Sequence, residues 1–258
     1  MIRRFAPPLL LVLALLVAWE IYADSGAADS FVLPAPHAIA QAGVDNTGLL
    51  LSNLAVTARE VGFGIAVALL VGFVLAVAIH FSPTLRRAVY PLAVGSQAVP
   101  IPVVAPLLVF WWGFGTLPKL AVIVLICFFP IVVTTVDALA AVDPDQVKLL
   151  RTLNASRWQA FRFAELPAAL PGALSGARIA LAIAVIAAYI AETGTATYAT
   201  GATGLGREIN SDLTSLQTPR AYAAAALLFA FAITCFYLLT LAERRLAPWS
   251  ARSRGASR

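Results

Sequence analysis

Lys148, Arg151, Arg157 and Arg162 lie close together in the stretch KLLRTLNASRWQAFRFAELP, with Trp158, Phe161 and Phe163 set among them. Cations beside aromatic rings bind through charge, hydrogen bonds and apolar area at once. That is the chemistry of recognition, either of a groove on a protein or of anionic headgroups. Groups that could make or break bonds are sparse. The carboxylates read as clustering toward the ends of apolar runs, His37 and His80 stand apart, and Cys127 and Cys235 fall inside apolar runs. Neither a catalytic pair, a metal-ligand set nor a disulfide framework is expected from that distribution. Lys119 and Lys148 are the only lysines, and neither sits in G-x-x-x-x-G-K-[ST], so the chain is expected to hydrolyse no ATP by itself. An intramembrane enzyme would need paired groups at depth, and a secondary transporter an inverted repeat with intramembrane charges; the sequence shows neither pattern.

The surroundings of this basic, aromatic island are oily. Of 258 residues, 60% are hydrophobic and 12% charged, against a charged share of about 25% in soluble domains. The expected solvent is a bilayer. The net charge of +5 is spread over segment ends, which does not form a nucleic-acid footprint. Six runs are long enough to span: 5–23, 54–80, 88–112, 117–138, 172–192 and 221–242. The first reads as a span rather than a cleaved leader, because it reaches Trp19 and Tyr22, which suit an interfacial anchor. With the N-terminus inside, the inner side collects Arg3, Arg4, Arg86, Arg87, Lys148, Arg151, Arg157, Arg162, Arg178, Arg244, Arg245, Arg252, Arg254 and Arg258. Only Arg59, Lys119, Arg207 and Arg220 of the 18 Lys and Arg stay outside. This bias predicts both termini in the cytoplasm and places the island there too.

The island's punctuation predicts two short helices. Asp143 caps the first, Pro144 opens it and Gln146 completes a capping box. It runs to about Leu153, and Asn154 supplies a left-handed corner. Ser156 with Gln159 caps the second helix, which Pro167 is expected to close. Residues alone leave two readings open, a helix lying on lipid headgroups or a knob for a soluble partner.

VDPDQVKLLRTLNASRWQAFRFAELPAALPGALSGARIAL resembles the cytoplasmic coupling loop, the EAA loop, of permease subunits in type I ABC importers. The resemblance is to the nitrate/sulfonate/taurine type and extends along nearly the whole chain, through LPAP, SQAVPIPVVAPLLVFWWGFG, KLAVIVLICFFPIVVTTVDAL and the GLG at 204–206. The loop departs from the family pattern: Lys148, Leu149 and Leu150 stand where Glu-Ala-Ala falls, and Asn154 where the glycine falls, while Leu166 and Pro167 conform. The resemblance implies an all-α, polytopic bundle of six transmembrane helices forming one permease domain over 1–258, with a two-helix coupling loop at about 140–171. It implies docking of an ATPase subunit through Lys148, Leu150, Arg151, Asn154, Ala155, Ser156, Trp158, Phe161, Arg162, Leu166 and Pro167, the aromatics as anchors and the arginines as a rim. It further implies two ATPase copies carrying ATP and Mg, a second copy of this chain, an external solute-binding protein, no cofactor on this chain, and residence in the bacterial cytoplasmic (inner) membrane.

Expectations for the solute path rest on fewer residues. Pro100 and Pro102, with Ser96 and Gln97 before them, should disturb the third span, and broken backbone at depth belongs against protein or a wet cavity. Glu192 with Tyr189 one turn before it closes the fifth span, open to either a functional or a solvated reading. SQAVPIPVVAPLLVFWWGFG and TLNASRWQ look more like the branch associated with thiamine-precursor pyrimidines and riboflavin; sulfonate, taurine or nitrate is the alternative.

Overall fold

The computed structural model describes residues 2–26, 29–113, 115–196 and 203–247. Those residues are helical, with no strand among them, as expected where each backbone group must find its partner within its own segment. In chain order the helices are α1 Ile2–Asp24, α2 Pro36–Asp45, α3 Thr47–Phe81, α4 Pro83–Ser96, α5 Ile101–Trp112, α6 Thr116–Ala140, α7 Pro144–Thr152, α8 Arg157–Ala160, α9 Leu166–Ala196, α10 Leu205–Thr214 and α11 Thr218–Leu246. A π-helical turn, Phe161–Glu165, joins α8 to α9. Among the described residues four stretches are long and apolar enough to cross a bilayer: Thr47–Phe81, Thr116–Ala140, Arg157–Gly194 and Thr218–Arg245. The apolar α1 adds 23 residues.

The third expected span, 88–112, is not one helix. α4 and α5 meet at a break over residues 97–100. Pro100 and Pro102 have no N–H to give to the carbonyls of Ser96 and Ala98, so the α-helical ladder stops. The backbone closes instead with tighter bonds, Gln97 N–H to Val94 O at 3.3 Å and Val99 N–H to Ser96 O at 3.1 Å.

The centre of the bundle is α6, packed between α3 and α9. Each of these helices buries a stripe of every fourth residue. On α3 it is Glu60, Gly64, Ala68, Gly72 and Ala76. On α6 it is Lys119, Ile123, Cys127, Ile131, Thr135 and Leu139. On α9 Ala180, Ala184, Ala188 and Glu192 repeat the pattern. Small residues let backbones approach closely in lipid, where association depends on packing. The approach is tight: a Cβ at Gly64 would lie 2.5 Å from an Ile123 methyl. All three stripes reach an ionisable residue near the same end of the bundle.

α1 meets the rest mainly at its C-terminal end. Glu20 accepts the His37 backbone N–H at 3.2 Å and contacts His37 Nδ1 at 2.5 Å, while Trp19 lies 6.4 Å from Tyr222 of α11. The Glu20 hydrogen bond raises the pKa of His37 above its ordinary 6.5.

Candidate functional site

At one end of the bundle α7 and α8 form a compact knob. Asp143 caps α7, its carboxylate accepting the Asp145 N–H at 2.9 Å. The helix ends in two nested bonds, Asn154 N–H to Arg151 O at 3.0 Å and Ala155 N–H to Leu150 O at 3.1 Å. Asn154 has φ 57°, the left-handed conformation that closes this type of end. Ser156 and Gln159 make the reciprocal box that starts α8, at 3.2 Å and 2.7 Å. Two short helices are thereby fixed at a defined corner.

The knob stands on the end of α3. Arg157 donates to His80 O at 3.4 Å and its guanidinium lies 4.9 Å from the Phe81 ring centre. His80 Nε2 meets Glu165 at 2.7 Å, and Phe161 stacks on Trp158 at 5.3 Å and meets Phe81 edge-on at 5.1 Å. Phe161 therefore faces inward, 2% exposed, in a cluster with Leu139 and Ala169 against which Leu166 also packs. The outward face is left to Leu149, Leu153, Trp158 and Phe163, between 57% and 72% exposed. Lys148, Arg151 and Arg162 are exposed around it, and Lys148 bonds Asp145 at 2.8 Å. Leu150 and Ala155 are half-buried beneath the corner. Pro167 does not close the second helix. The π-turn has already shifted the hydrogen-bond register, so Pro167 falls in the first turn of α9, where a missing N–H is tolerated.

The opposite end holds a buried polar cluster of which the sequence reading named only Glu192. Glu60, fourteenth in α3, and Lys119 near the start of α6 are 4% and 5% exposed and pair at 3.0 Å. Lys119 also donates to Thr203 O at 2.8 Å. Glu192 is not a solvated helix end; α9 continues past it and its side chain is fully buried. Its carboxylate accepts from Thr57 Oγ1 at 2.7 Å and from the Gly206 N–H at 2.5 Å. Thr57 accepts from Leu205 N–H at 2.9 Å, and Asn53 from Gly204 N–H at 2.9 Å. The backbone opening α10 is thus held by side chains of α3 and α9. The GLG motif has a physical reason here: Gly204 has φ +123°, and a Cβ on it would lie 2.3 Å from the Glu192 carboxyl carbon. Asn53 also donates to Glu208 at 3.3 Å, and Arg220 binds Asp212 through Nε at 2.9 Å. Removal from water, then the Asp212 charge, raises the pKa of Glu208. The signal available in the sequence was the position of Glu60 on a small-residue stripe and of Lys119 in register with an apolar one, and the i, i+3 spacing of Thr57 and Glu60. The Gly/Thr-rich link after Glu192 falls partly at 197–202, outside the described residues.

Of the expected path residues, Ser96 and Gln97 line a cavity of about 370 Å³ with Phe129 and Pro130 of α6 and Ile183 of α9. Pro100 and Pro102 begin α5 and create the break without lining that cavity. Tyr189 instead lines the apolar groove between α9 and α11. Trp111 and Trp112 end α5, both exposed. Asp137, which accepts from Tyr90 OH at 2.7 Å, ties α6 to α4.

This architecture is that of known transport proteins. Residues 68–248 match the family described as "Binding-protein-dependent transport system inner membrane component". The formylaminopyrimidine transport permease protein ThiX of Halalkalibacterium halodurans is 33% identical over 243 residues, covering 94% of this chain and 95% of ThiX. The riboflavin transport system permease protein RibX of Chloroflexus aurantiacus is 32% identical over 256 residues, covering 97% and 94%. Among solved structures, a chain of the MetNI methionine ABC transporter shares the fold, with a TM-score of 0.64 at 18% identity over 78% of this chain and 96% of that one. The chain belongs to the family of binding-protein-dependent transport-system inner membrane components and is a membrane-spanning permease subunit of the ABC importer class.

Proposed function

We propose that two copies of this chain form the solute path of an importer whose two ATPase subunits, each binding ATP and Mg, dock on the knob of α7 and α8. The observation that carries this reading is the knob itself. Four large apolar side chains, Leu149, Leu153, Trp158 and Phe163, project from a corner fixed at both helix ends and anchored to α3 by Phe161, Arg157 and Glu165. An exposed apolar face on a rigid support with a basic rim fits a protein groove, where aromatic anchors carry most of the binding.

The rest of the assembly follows from the family. An external solute-binding protein delivers the solute to the end bearing the polar cluster of Glu60, Lys119 and Glu192. The charge asymmetry supports six spans in the cytoplasmic membrane, with both termini and the knob on the ATPase side. The two relatives named for formylaminopyrimidine and riboflavin each align over nearly all of this chain, which supports a vitamin-like heterocycle as solute.

The test is co-purification. The chain expressed with its partner ABC ATPase should yield a complex with two copies of each, hydrolysing ATP, while the chain alone hydrolyses none. Trp158→Ala should release the ATPase with membrane insertion unchanged. ATPase binding untouched by both Trp158→Ala and Leu153→Asp would overturn the docking assignment.

A further inference from the structure

The cavity between the α4–α5 break, the middle of α6 and α9 is lined by two of the expected path residues, Ser96 and Gln97. We propose that it is the site where the permease holds its solute in transit, and that it selects an uncharged, ring-shaped molecule bearing hydrogen-bonding groups on one edge. The proposal rests on the permease reading above and adds the solute class and the residues that contact it.

Depth comes first. α4 has 14 residues and α5 has 12, about 21 Å and 18 Å of helix at ~1.5 Å per residue. The break at residues 97–100 therefore falls near mid-membrane. Irregular backbone at that depth persists only where it is covered by protein or lines a cavity, and here Gln97 and Val99 of the break, with Ser96 at the end of α4, line this one. On the facing wall Pro130 cannot donate to the carbonyl of Ile126, and both residues line the cavity. The broken stretch of the third span and the proline-bearing middle of α6 thus face each other across the cavity.

Chemistry and size then narrow the occupant. About 370 Å³ lies within the ~300–1,000 Å³ of small-molecule sites. None of the described residues that line it is ionisable. The Gln97 carboxamide offers two donors and an acceptor, the Ser96 hydroxyl already donates to Ala93 O at 2.8 Å and keeps its acceptor capacity, and the Phe129 ring supplies a flat apolar surface. Lys119 lies one turn along α6 from the lining residue Val122, but its ammonium is engaged by Glu60 at 3.0 Å and Thr203 O at 2.8 Å. An anion entering the cavity would shed its water with no cation to meet it, which is strongly unfavourable. A heteroaromatic ring stacks on Phe129 and pairs its polar edge with Gln97. The same walls without the polar groups would suit a lipid chain, so the experiment separates the two.

The complex of permease and ATPase, in nanodiscs without binding protein, is dialysed against three radiolabelled probes: an aminopyrimidine, a flavin and taurine. The expected result is saturable binding of at least one aromatic probe and none of taurine. Gln97→Ala and Phe129→Leu should each weaken aromatic binding about tenfold, the weight of one or two buried contacts. The control Leu92→Ala, exposed on α4 outside the cavity, should bind as wild type. Gln97→Asn, which keeps the amide on a shorter stem, guards against misfolding and should recover part of the loss. Taurine binding that ignores Gln97, or a cavity occupied by phospholipid in native mass spectrometry with no aromatic binding, would overturn the proposal. Failure of the complex to assemble with an ATPase would instead overturn the permease docking it rests on.

Discussion

Gly204→Ala tests the buried cluster directly. Gly204 sits at φ 123° and ψ 156°, a region that residues with a Cβ essentially avoid. Forcing alanine there costs about 1–3 kcal/mol in backbone strain. The new methyl would also fall 2.3–2.6 Å from the carboxyl atoms of Glu192, so that carboxylate must move. It would give up its bonds from Thr57 at 2.7 Å and Gly206 at 2.5 Å, each worth about 1.5–3 kcal/mol when one partner is charged. The low ends sum to about 4 kcal/mol. For a chain of this size that is roughly 8–16 °C in Tm. Thermal unfolding in detergent reads the shift, and a double-mutant cycle with Glu192→Ala assigns it. In the Glu192→Ala background the steric part should vanish and only backbone strain remain. Equal cost in both backgrounds would show that the glycine does not serve the carboxylate. A Gly204→Ala protein with unchanged Tm would refute the whole arrangement.

Asn154 at φ 57° should tolerate glycine, while Asn154→Val should cost about 1–3 kcal/mol and misdirect α8; ATPase co-purification and Tm report both, and equal harm from glycine would mean the amide itself makes the needed contact. The His37–Glu20 contact gives a pH dependence. Because the pKa of His37 is raised in the folded protein, its stabilising effect is complete below 6.5 and is lost as pH rises through the raised value. Hydrogen exchange at the start of α2, corrected for its intrinsic pH dependence, should therefore quicken over that window, and His37→Gln should abolish the step; a wild type without the step would refute it.

Much of the fold was legible in the sequence because the bilayer leaves so few solutions. A run of about twenty apolar residues in lipid must be helical, and α3, α6, α9 and α11 fall where the runs predict, with blurred ends. The knob was legible for a local reason: Ser156 with Gln159, and Asn154 at the corner, carry capping and left-handed preferences within a few residues of chain. The break in the third span was announced by Pro100 and Pro102. What the tertiary structure alone decided involves distant partners. Phe161 looks like an interface anchor from its neighbours, but it packs against Phe81, eighty residues earlier, and turns inward. Pro167 looks like a helix end until the π-turn before it absorbs the shift in register. Glu60, Lys119 and Glu192 lie far apart in the chain, and nothing local says that the buried stripes of three helices bring them to one layer. Glu192 read by itself is a charge near a helix end; only the approach of Gly204 and Gly206, which a Cβ would forbid, makes it the residue that holds α10 in place.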